Sequence, residues 1–257
     1  MPQGQLSDEE ASTTTCGEPS VHPLVRDLHP VRGGLVKAVI FDLDDTLFPE
    51  SEYVLSGLRA VGARIEDLFA DRGFYEMAAW LFSQGHRGCI IDEALAALGL
   101  WVRPDLVESL VAHYRNHVPE IRLYEDAARA IAHFGRHVTT GIITDGYLVA
   151  QKRKVAVLGL EQLVDHIVYS DEFGRDHWKP SSVPYLMMMK MTGCTGPDCS
   201  YVSDNPLKDF VSAKALGWTT VRIRRTGGEY SEVVVDATHS AHYEVSTLDD
   251  LTRVLVI

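Results

Sequence analysis

The stretch Leu35–Leu47, which reads LVKAVIFDLDDTL, decides the fold of this chain. Its first seven residues are rich in β-branched side chains and nearly continuous in apolar character, which is typical of a strand buried on both faces of a parallel sheet. Three aspartates follow almost at once, at 42, 44 and 45. Open α/β sheets bind their ligands at the carboxyl ends of the strands, although an isolated Asp-x-Asp more often ends a strand and caps a turn.

Similar short apolar runs follow along the chain, separated by segments with the apolar spacing of helices. The strand-like runs lie at 138–144, 166–169, 199–203 and 219–223. The helix-like segments lie at 124–134, 147–158, 183–191 and 207–216. Strands that alternate with helices of this length predict βαβ units, and therefore an α/β fold with a doubly wound parallel sheet.

The stretch 49–120 breaks this alternation, because four helix-like segments follow one another there without a strand-like run. A crossover between parallel strands normally needs a single helix. We therefore predict a helical cap domain at 49–120, inserted into an α/β catalytic core formed by 35–48 and 121–257. Residues 1–34 mix Ser, Thr, Pro, Gly and acidic residues without periodicity, and we expect them to form a flexible leader.

The charge balance restricts the partners of the protein. The chain has 24 Lys and Arg against 36 Asp and Glu, a formal net charge of -12. Long-range repulsion therefore opposes binding of the protein to a nucleic-acid polymer or an anionic membrane. It does not exclude the binding of a small anion in a local pocket. Neither a membrane-spanning apolar run nor a signal peptide is recognisable, so we expect a cytoplasmic protein.

Polar side chains also follow the later predicted strands. Thr144-Asp145-Gly146 ends the second strand before a helix N-terminus, a place that suits a phosphate. Lys179 precedes Pro180, which can open the next helix, and Asp204 and Asp209 follow the fourth strand. Each of these features alone is as well explained by a helix cap, a turn glycine or a solvated lysine.

Taken together, the four motifs give an order along the chain: two acids, then a hydroxyl, then a lysine, then two more acids. This order resembles that of the haloacid dehalogenase superfamily, in its phosphatase branch with an inserted helical cap. The resemblance covers about residues 36–256, and it includes a closing strand and helix near 243–251. The motifs are short, but their joint order and spacing are highly specific. The fold that the resemblance implies agrees with the α/β pattern predicted above.

The resemblance also implies roles for individual residues. Asp42 would be the nucleophile that forms an aspartyl-phosphate, and Asp44 the general acid that then becomes the general base. The phosphoryl group would be bound by four residues, which are Thr144, Asp145, Gly146 and Lys179.

The same resemblance implies a Mg²⁺ site. The metal would be held by Asp42, the backbone carbonyl of Asp44 and Asp204, because Mg²⁺ prefers oxygen ligands. Asp209 would either assist the metal or orient Lys179. No other cofactor is expected.

Two departures from the family pattern stand out. Ser203 occupies a position where the family usually has Gly, and it should crowd the backbone slightly without removing a ligand. The approach to Lys179, residues 171–178, is longer than usual, and its Arg175, His177 and Trp178 are candidates to reach the substrate. Cap residues able to contact a polar leaving group are Tyr53, Arg59, His86, Arg87, Tyr114 and Arg115.

We therefore expect a Mg²⁺-dependent phosphomonoester hydrolase that acts on a small phosphorylated metabolite, either a sugar phosphate or a nucleotide. A phosphomutase, which shares all four motifs, is the alternative within the family. A metal-free dehalogenase is disfavoured, because that branch uses no second acid at the position of Asp44. A non-catalytic binding or scaffold protein with this fold would be expected to have lost at least one motif, and none is lost.

Overall fold

The computed structural model describes residues 35–257, so the predicted leader at 1–34 lies outside the described residues. Within them, six parallel strands form one sheet in the order β3-β2-β1-β4-β5-β6. The strands are β1 (Ala38–Phe41), β2 (Thr139–Thr144), β3 (His166–Tyr169), β4 (Cys199–Ser203), β5 (Thr219–Ile223) and β6 (Tyr243–Val245). The helices are α1 (Glu50–Phe69), α2 (Phe74–Ser83), α3 (Ile90–Ala97), α4 (Pro104–Asn116), α5 (Glu125–Phe134), α6 (Leu148–Val157), α7 (Val183–Thr192), α8 (Phe210–Ala215) and α9 (Leu251–Val254). The predicted α/β fold is confirmed.

The alternation of side chains along β1 explains why the whole strand is apolar. Val39 and Phe41 pack into one hydrophobic cluster, which also contains side chains of α5, α6 and α9. Ala38 and Ile40 pack into a second cluster with α7 and α8 on the other face of the sheet. Because β1 pairs with β2 on one side and β4 on the other, its carboxyl end lies in the middle of the sheet edge.

Helices α1 to α4 follow β1 without an intervening strand, as predicted, and we call residues 50–116 the helical block. The block has a hydrophobic cluster of its own, made by Leu58, Val61, Ile65, Phe74, Ala78, Leu81, Ile90, Ile91, Ala94, Leu95 and Leu110. Two tyrosines connect the block to the sheet, since Tyr53 is buried in the first sheet cluster and Tyr114 packs against both. None of helices α1 to α9 combines the length and the apolar character needed to cross a membrane.

The structure corrects two expectations about helix starts, the role of Pro180 before α7 and the first residue of α8. Pro180 does not open α7; the helix begins at Val183, and Pro184 lies in its first turn, where a missing N–H costs nothing. Helix α8 begins at Phe210 rather than Leu207, because the preceding residues form a turn in which the Asn205 side chain accepts a hydrogen bond from the Leu207 N–H at 2.9 Å.

Candidate active site

The predicted site residues meet at the carboxyl edge of the sheet. Asp42, Thr144 and Asp204 follow or end the adjacent strands β1, β2 and β4, and Lys179 reaches the same edge from the segment before α7. The Lys179 Nζ lies 2.6 Å from Asp42 Oδ1. The structure therefore brings together side chains that are as many as 162 positions apart in the sequence.

Lys179 is the buried cation of the site. Its ammonium group lies between Asp42 and Asp209, 2.7 Å from Asp209 Oδ1, and donates to the Tyr201 hydroxyl at 2.9 Å. Burial lowers the pKa of Lys179, but the two carboxylates raise it well above its ordinary value, so the group stays charged. Burial raises the pKa of Asp42 to about 7, against the lowering effect of Lys179.

Asp209 is fully buried and both of its carboxylate oxygens already have partners. Oδ1 contacts Lys179, and Oδ2 accepts a hydrogen bond from the Ser203 hydroxyl at 2.5 Å. Of the two roles that the sequence left open for Asp209, these contacts favour orientation of the lysine. They also give Ser203 a function beyond the slight crowding expected of it, because its hydroxyl fixes Asp209.

The residues fit a divalent metal ion. Asp42, Asp204 and Asp209 each place a carboxylate oxygen within 4.8 Å of the others. Thr46 accepts from the Asp204 N–H at 3.1 Å and donates to its carboxylate at 3.4 Å, yet within residues 35–257 no Lys or Arg pairs with Asp204. Burial, and then Asp42 and Asp209, raise the pKa of Asp204 well above its ordinary value. A buried, all-oxygen donor set with excess negative charge is what Mg²⁺ binds in proteins.

A tight turn after β1 presents Asp44. Asp45 takes a left-handed conformation with φ of 50°, which Asp tolerates better than most residues, and its carboxylate caps α1 by accepting from the Glu50 N–H. The Asp44 carboxylate contacts two residues that the sequence did not single out, Lys154 at 2.6 Å and Gln151 at 2.7 Å. Both residues lie in the helix-like segment 147–158, but the sequence did not show which face of that helix points toward Asp44.

Asp145 has a structural set of contacts at the end of β2. Its carboxylate pairs with Lys208 at 3.0 Å, accepts from the Lys179 N–H at 3.2 Å and accepts a short hydrogen bond from the Ser170 hydroxyl. Although burial raises the pKa of Asp145, Lys179 and Lys208 lower it below its ordinary value. The carboxylate thus ties three loops together, and both of its oxygens already have partners within the protein.

Two guanidinium groups lie at the rim of the site. The Arg115 guanidinium lies 3.5 Å from the ring centroid of Tyr147, and that of Arg175 lies 4.6 Å from it. Tyr147 directly follows the Thr144–Gly146 loop, and Trp178 packs edge-on against its ring. In the described part of the chain neither arginine forms an ion pair with a carboxylate. The rim therefore supplies positive charge beside the proposed phosphate loop.

The comparison with protein families agrees with this geometry. The model of the haloacid dehalogenase-like hydrolases matches residues 39–223, a range that contains every predicted site residue and the helical block. The chain belongs to the haloacid dehalogenase-like hydrolase family. The resemblance inferred from the four motifs is confirmed, although the match ends before β6 and α9.

Individual members of the family are similar over most of the chain. The glyceraldehyde 3-phosphate phosphatase of Methanocaldococcus jannaschii is 27% identical over 228 residues, which cover 86% of this chain and 97% of that protein. The ribulose-1,5-bisphosphate 5-phosphatase of Halopiger xanaduensis is 26% identical over 240 residues, which cover 85% of this chain and 98% of that protein. The magnesium-bound haloacid dehalogenase-type hydrolase YfnB of Bacillus subtilis has the same fold, with a TM-score of 0.64, 16% identity and coverage of 87% and 100%.

Proposed function

We propose that this chain is a Mg²⁺-dependent phosphomonoester hydrolase that acts on a small phosphorylated metabolite through an aspartyl-phosphate. The observation that carries the proposal is the buried contact of Lys179 with Asp42 at 2.6 Å, next to the carboxylate of Asp204. A nucleophilic carboxylate, a fixed cation for phosphoryl oxygens and a second acid two residues away are the groups that phosphoryl transfer in two steps requires.

In the first step, a carboxylate oxygen of Asp42 attacks phosphorus, and the bond from phosphorus to the leaving oxygen breaks. Asp44 enters this step as the carboxylic acid and gives its proton to that oxygen as the alcohol departs, which leaves Asp44 as a carboxylate. In the second step, Asp44 takes a proton from water, the water oxygen attacks phosphorus, and the bond to Asp42 breaks to release phosphate. Throughout, Thr144 and Lys179 hold the phosphoryl oxygens, and Asp209 keeps Lys179 in place.

A bound Mg²⁺, held by Asp42, Asp204 and the backbone carbonyl of Asp44, would offset the negative charge of the carboxylates and of the phosphoryl group. We further propose that the helical block belongs to a cap domain at 49–120, which covers the core formed by 35–48 and 121–257. The separate hydrophobic cluster of the block supports this division. Such a cap would exclude water from the first step and select the leaving group.

The substrate that we propose is a small phosphate ester, with a sugar phosphate as the first candidate. The net charge of -12 disfavours long polyanions, whereas Lys179, Arg115 and Arg175 provide local positive charge for one small anion. The similarity to phosphatases of a triose phosphate and of a pentose bisphosphate supports the same class. A nucleotide remains the second candidate.

Substitution of the nucleophile tests the proposal. Asp42→Asn keeps the shape of the side chain but removes the attacking carboxylate, and we expect phosphate release to fall by at least about 10³-fold. The assay is phosphate release from a panel of sugar phosphates and nucleotides with and without Mg²⁺, and circular dichroism checks the fold. Asp67→Asn, the same change at an exposed position of α1, is the control.

Each other outcome has a definite meaning. Full activity of Asp42→Asn removes the nucleophile assignment. Absence of metal-dependent turnover by the wild-type protein on the whole panel contradicts the hydrolase and revives a non-catalytic binding role. Accumulation of a sugar bisphosphate in place of free phosphate would identify a phosphomutase.

A further inference from the structure

Helix α6 places two buried polar side chains on the side that faces the active site. Gln151 and Lys154 are three residues apart, which puts them on the same face of a helix. Gln151 is only 2% exposed to solvent, and Lys154 is only 4% exposed. Side chains of this kind are expensive to bury without partners, so the groups that they contact are informative.

Both side chains hold the carboxylate of Asp44. Lys154 Nζ lies 2.6 Å from Asp44 Oδ1, and Gln151 Nε2 donates to Asp44 Oδ2 at 2.7 Å. Because each oxygen has its own partner, the carboxylate cannot turn about its last bond without losing one of the two contacts. A side chain fixed in this way needs less ordering when the reaction requires it in one position.

The same amide also reaches the loop after β2. Gln151 Nε2 lies 2.6 Å from Thr144 Oγ1 and 2.8 Å from the Asp145 carbonyl oxygen, so it links Asp44 to the proposed phosphate loop. Gly146 makes this approach possible: it has a φ of 124°, and a Cβ there would lie 3.2 Å from the Gln151 side chain.

Lys154 extends the link to the helical block. Its ammonium group lies 4.1 Å from the ring centroid of Tyr53 in α1, a distance at which the ring stabilises the cation. The ammonium is therefore held between the loop after β1, the helix after β2 and the first helix of the block.

We infer that Gln151 and Lys154 are positioning residues that set the place of the Asp44 carboxylate relative to the phosphoryl group. The inference rests on the proposed function, since it assigns to Asp44 the transfer of a proton to the leaving oxygen. Neither residue touches the reacting atoms. They act through Asp44, and their effect should be large only when the leaving group needs a proton.

The test compares two substrates that differ in this need. An alkyl phosphate such as glycerol phosphate must receive a proton as it leaves, whereas dinitrophenyl phosphate loses a stable anion without one. For Lys154→Met and Gln151→Met we expect kcat/KM to fall by about 10²-fold on glycerol phosphate and by less than about 3-fold on dinitrophenyl phosphate. We use kcat/KM because it reports only the steps up to phosphoryl transfer, before the aspartyl-phosphate is hydrolysed.

Lys152→Met is the matched control. Lys152 lies on the same helix, is exposed, and pairs with Glu172 at 3.0 Å, so its loss should leave the ratio between the two substrates unchanged. Thermal melting of each variant checks the fold. If Lys154→Met does not fold, Gln151→Met carries the test, because removal of a neutral amide leaves the charge of the site intact.

An equal loss of kcat/KM on both substrates would show that Gln151 and Lys154 only support the structure. No loss on either substrate would show that Asp44 is placed without them. Either result overturns the inference. Wild-type turnover with an unchanged substrate ratio in the variants overturns the positioning role alone. If the wild-type protein does not turn over glycerol phosphate, the sugar phosphate of the panel with the highest turnover takes its place. Absence of wild-type turnover on dinitrophenyl phosphate and on the whole panel overturns the proposed function and this inference together.

Discussion

Replacement of Asp204 by Asn should make the metal-free protein more stable while it removes the response to Mg²⁺. Asp204 is buried, and its carboxylate lies within 4.8 Å of those of Asp42 and Asp209. Its side-chain contact with Thr46 is one that an amide oxygen can also accept. The substitution therefore removes a buried charge and keeps the hydrogen bond.

The magnitude follows from the separations. Coulomb's law at an effective dielectric constant of about 20 gives roughly 3–4 kcal/mol for each pair of like charges at this distance. Asp204 has two such neighbours, and the ammonium of Lys179 offsets about one of them. Burial and the two neighbouring carboxylates raise the pKa of Asp204, so protonation relieves part of this repulsion in the metal-free protein. After allowance for protonation, water and side-chain movement, we expect a gain of roughly 1–3 kcal/mol, which raises the Tm of a chain of this size by about 2–12 °C.

Saturating Mg²⁺ should stabilise the wild-type protein much more than the Asp204→Asn variant. A ligand at 100 times its Kd stabilises the folded state by about 2.7 kcal/mol, so the wild-type Tm should rise by about 5–11 °C. In Asp204→Asn this rise should shrink to a small part of the wild-type value. Differential scanning fluorimetry with EDTA and with excess Mg²⁺ measures both effects, and Asp67→Asn is the control.

Two results would refute this reasoning. A metal-free Tm of Asp204→Asn several degrees below that of the wild-type protein would show that the Asp204 carboxylate is already compensated without a metal ion. A Mg²⁺-induced shift equal to that of the wild type would show that the ion binds elsewhere.

Two further predictions concern Arg115 at the rim of the site and Asp126 in the first turn of α5. Arg115→Ala should raise KM for phosphorylated substrates by about 3–10-fold with little change in kcat, because it removes positive charge from the rim. Steady-state kinetics measure both constants, with Lys152→Met as the control. A change in kcat alone would contradict the prediction. Asp126→Asn should lower the Tm near neutral pH, because the Asp126 carboxylate pairs with Arg225 at 3.0 Å and accepts from the Leu248 N–H at 2.8 Å. Although burial raises the pKa of Asp126, these contacts lower it below its ordinary value. The ionised carboxylate therefore stabilises the folded protein at pH values above the unfolded-state pKa. This stabilisation is lost as the pH falls through the folded-state pKa. Melting curves across acid pH should therefore converge for the two proteins, and a constant difference would contradict the sign.

The sheet and the helical block could be predicted because their signals are local. A nearly continuous apolar run such as 35–41, of which Ala38–Phe41 forms β1, indicates a doubly covered strand, and helical spacing repeats within one segment. The helical spacing placed this helix at 183–191, but it did not show which proline lies in the first turn, since Pro180 and Pro184 both suit that position. Only the packed segment shows which of them the helix uses.

The proposed catalytic side chains were predictable because the joint order and spacing of four short motifs resemble those of the haloacid dehalogenase superfamily, although each motif alone has a plain structural explanation. The residues that support them were not. Lys154 contacts Asp44 across 110 positions, and a predicted helix does not show which of its polar residues turns inward. The signal that could have found it is a pair of polar residues, Gln151 and Lys154, at the spacing of one helix face.

The contacts missed by sequence analysis also explain how so many aspartates can lie together. Asp44 has Lys154, Asp145 has Lys208, and Asp42 and Asp209 share Lys179, each at 3.0 Å or less. Three lysines thus compensate four of the five carboxylates at this edge. In the part of the chain that the structure describes, Asp204 is the one among these five without a basic partner. Counted as charged groups, these five carboxylates exceed the three lysines by two negative charges, an excess that a single divalent cation would balance.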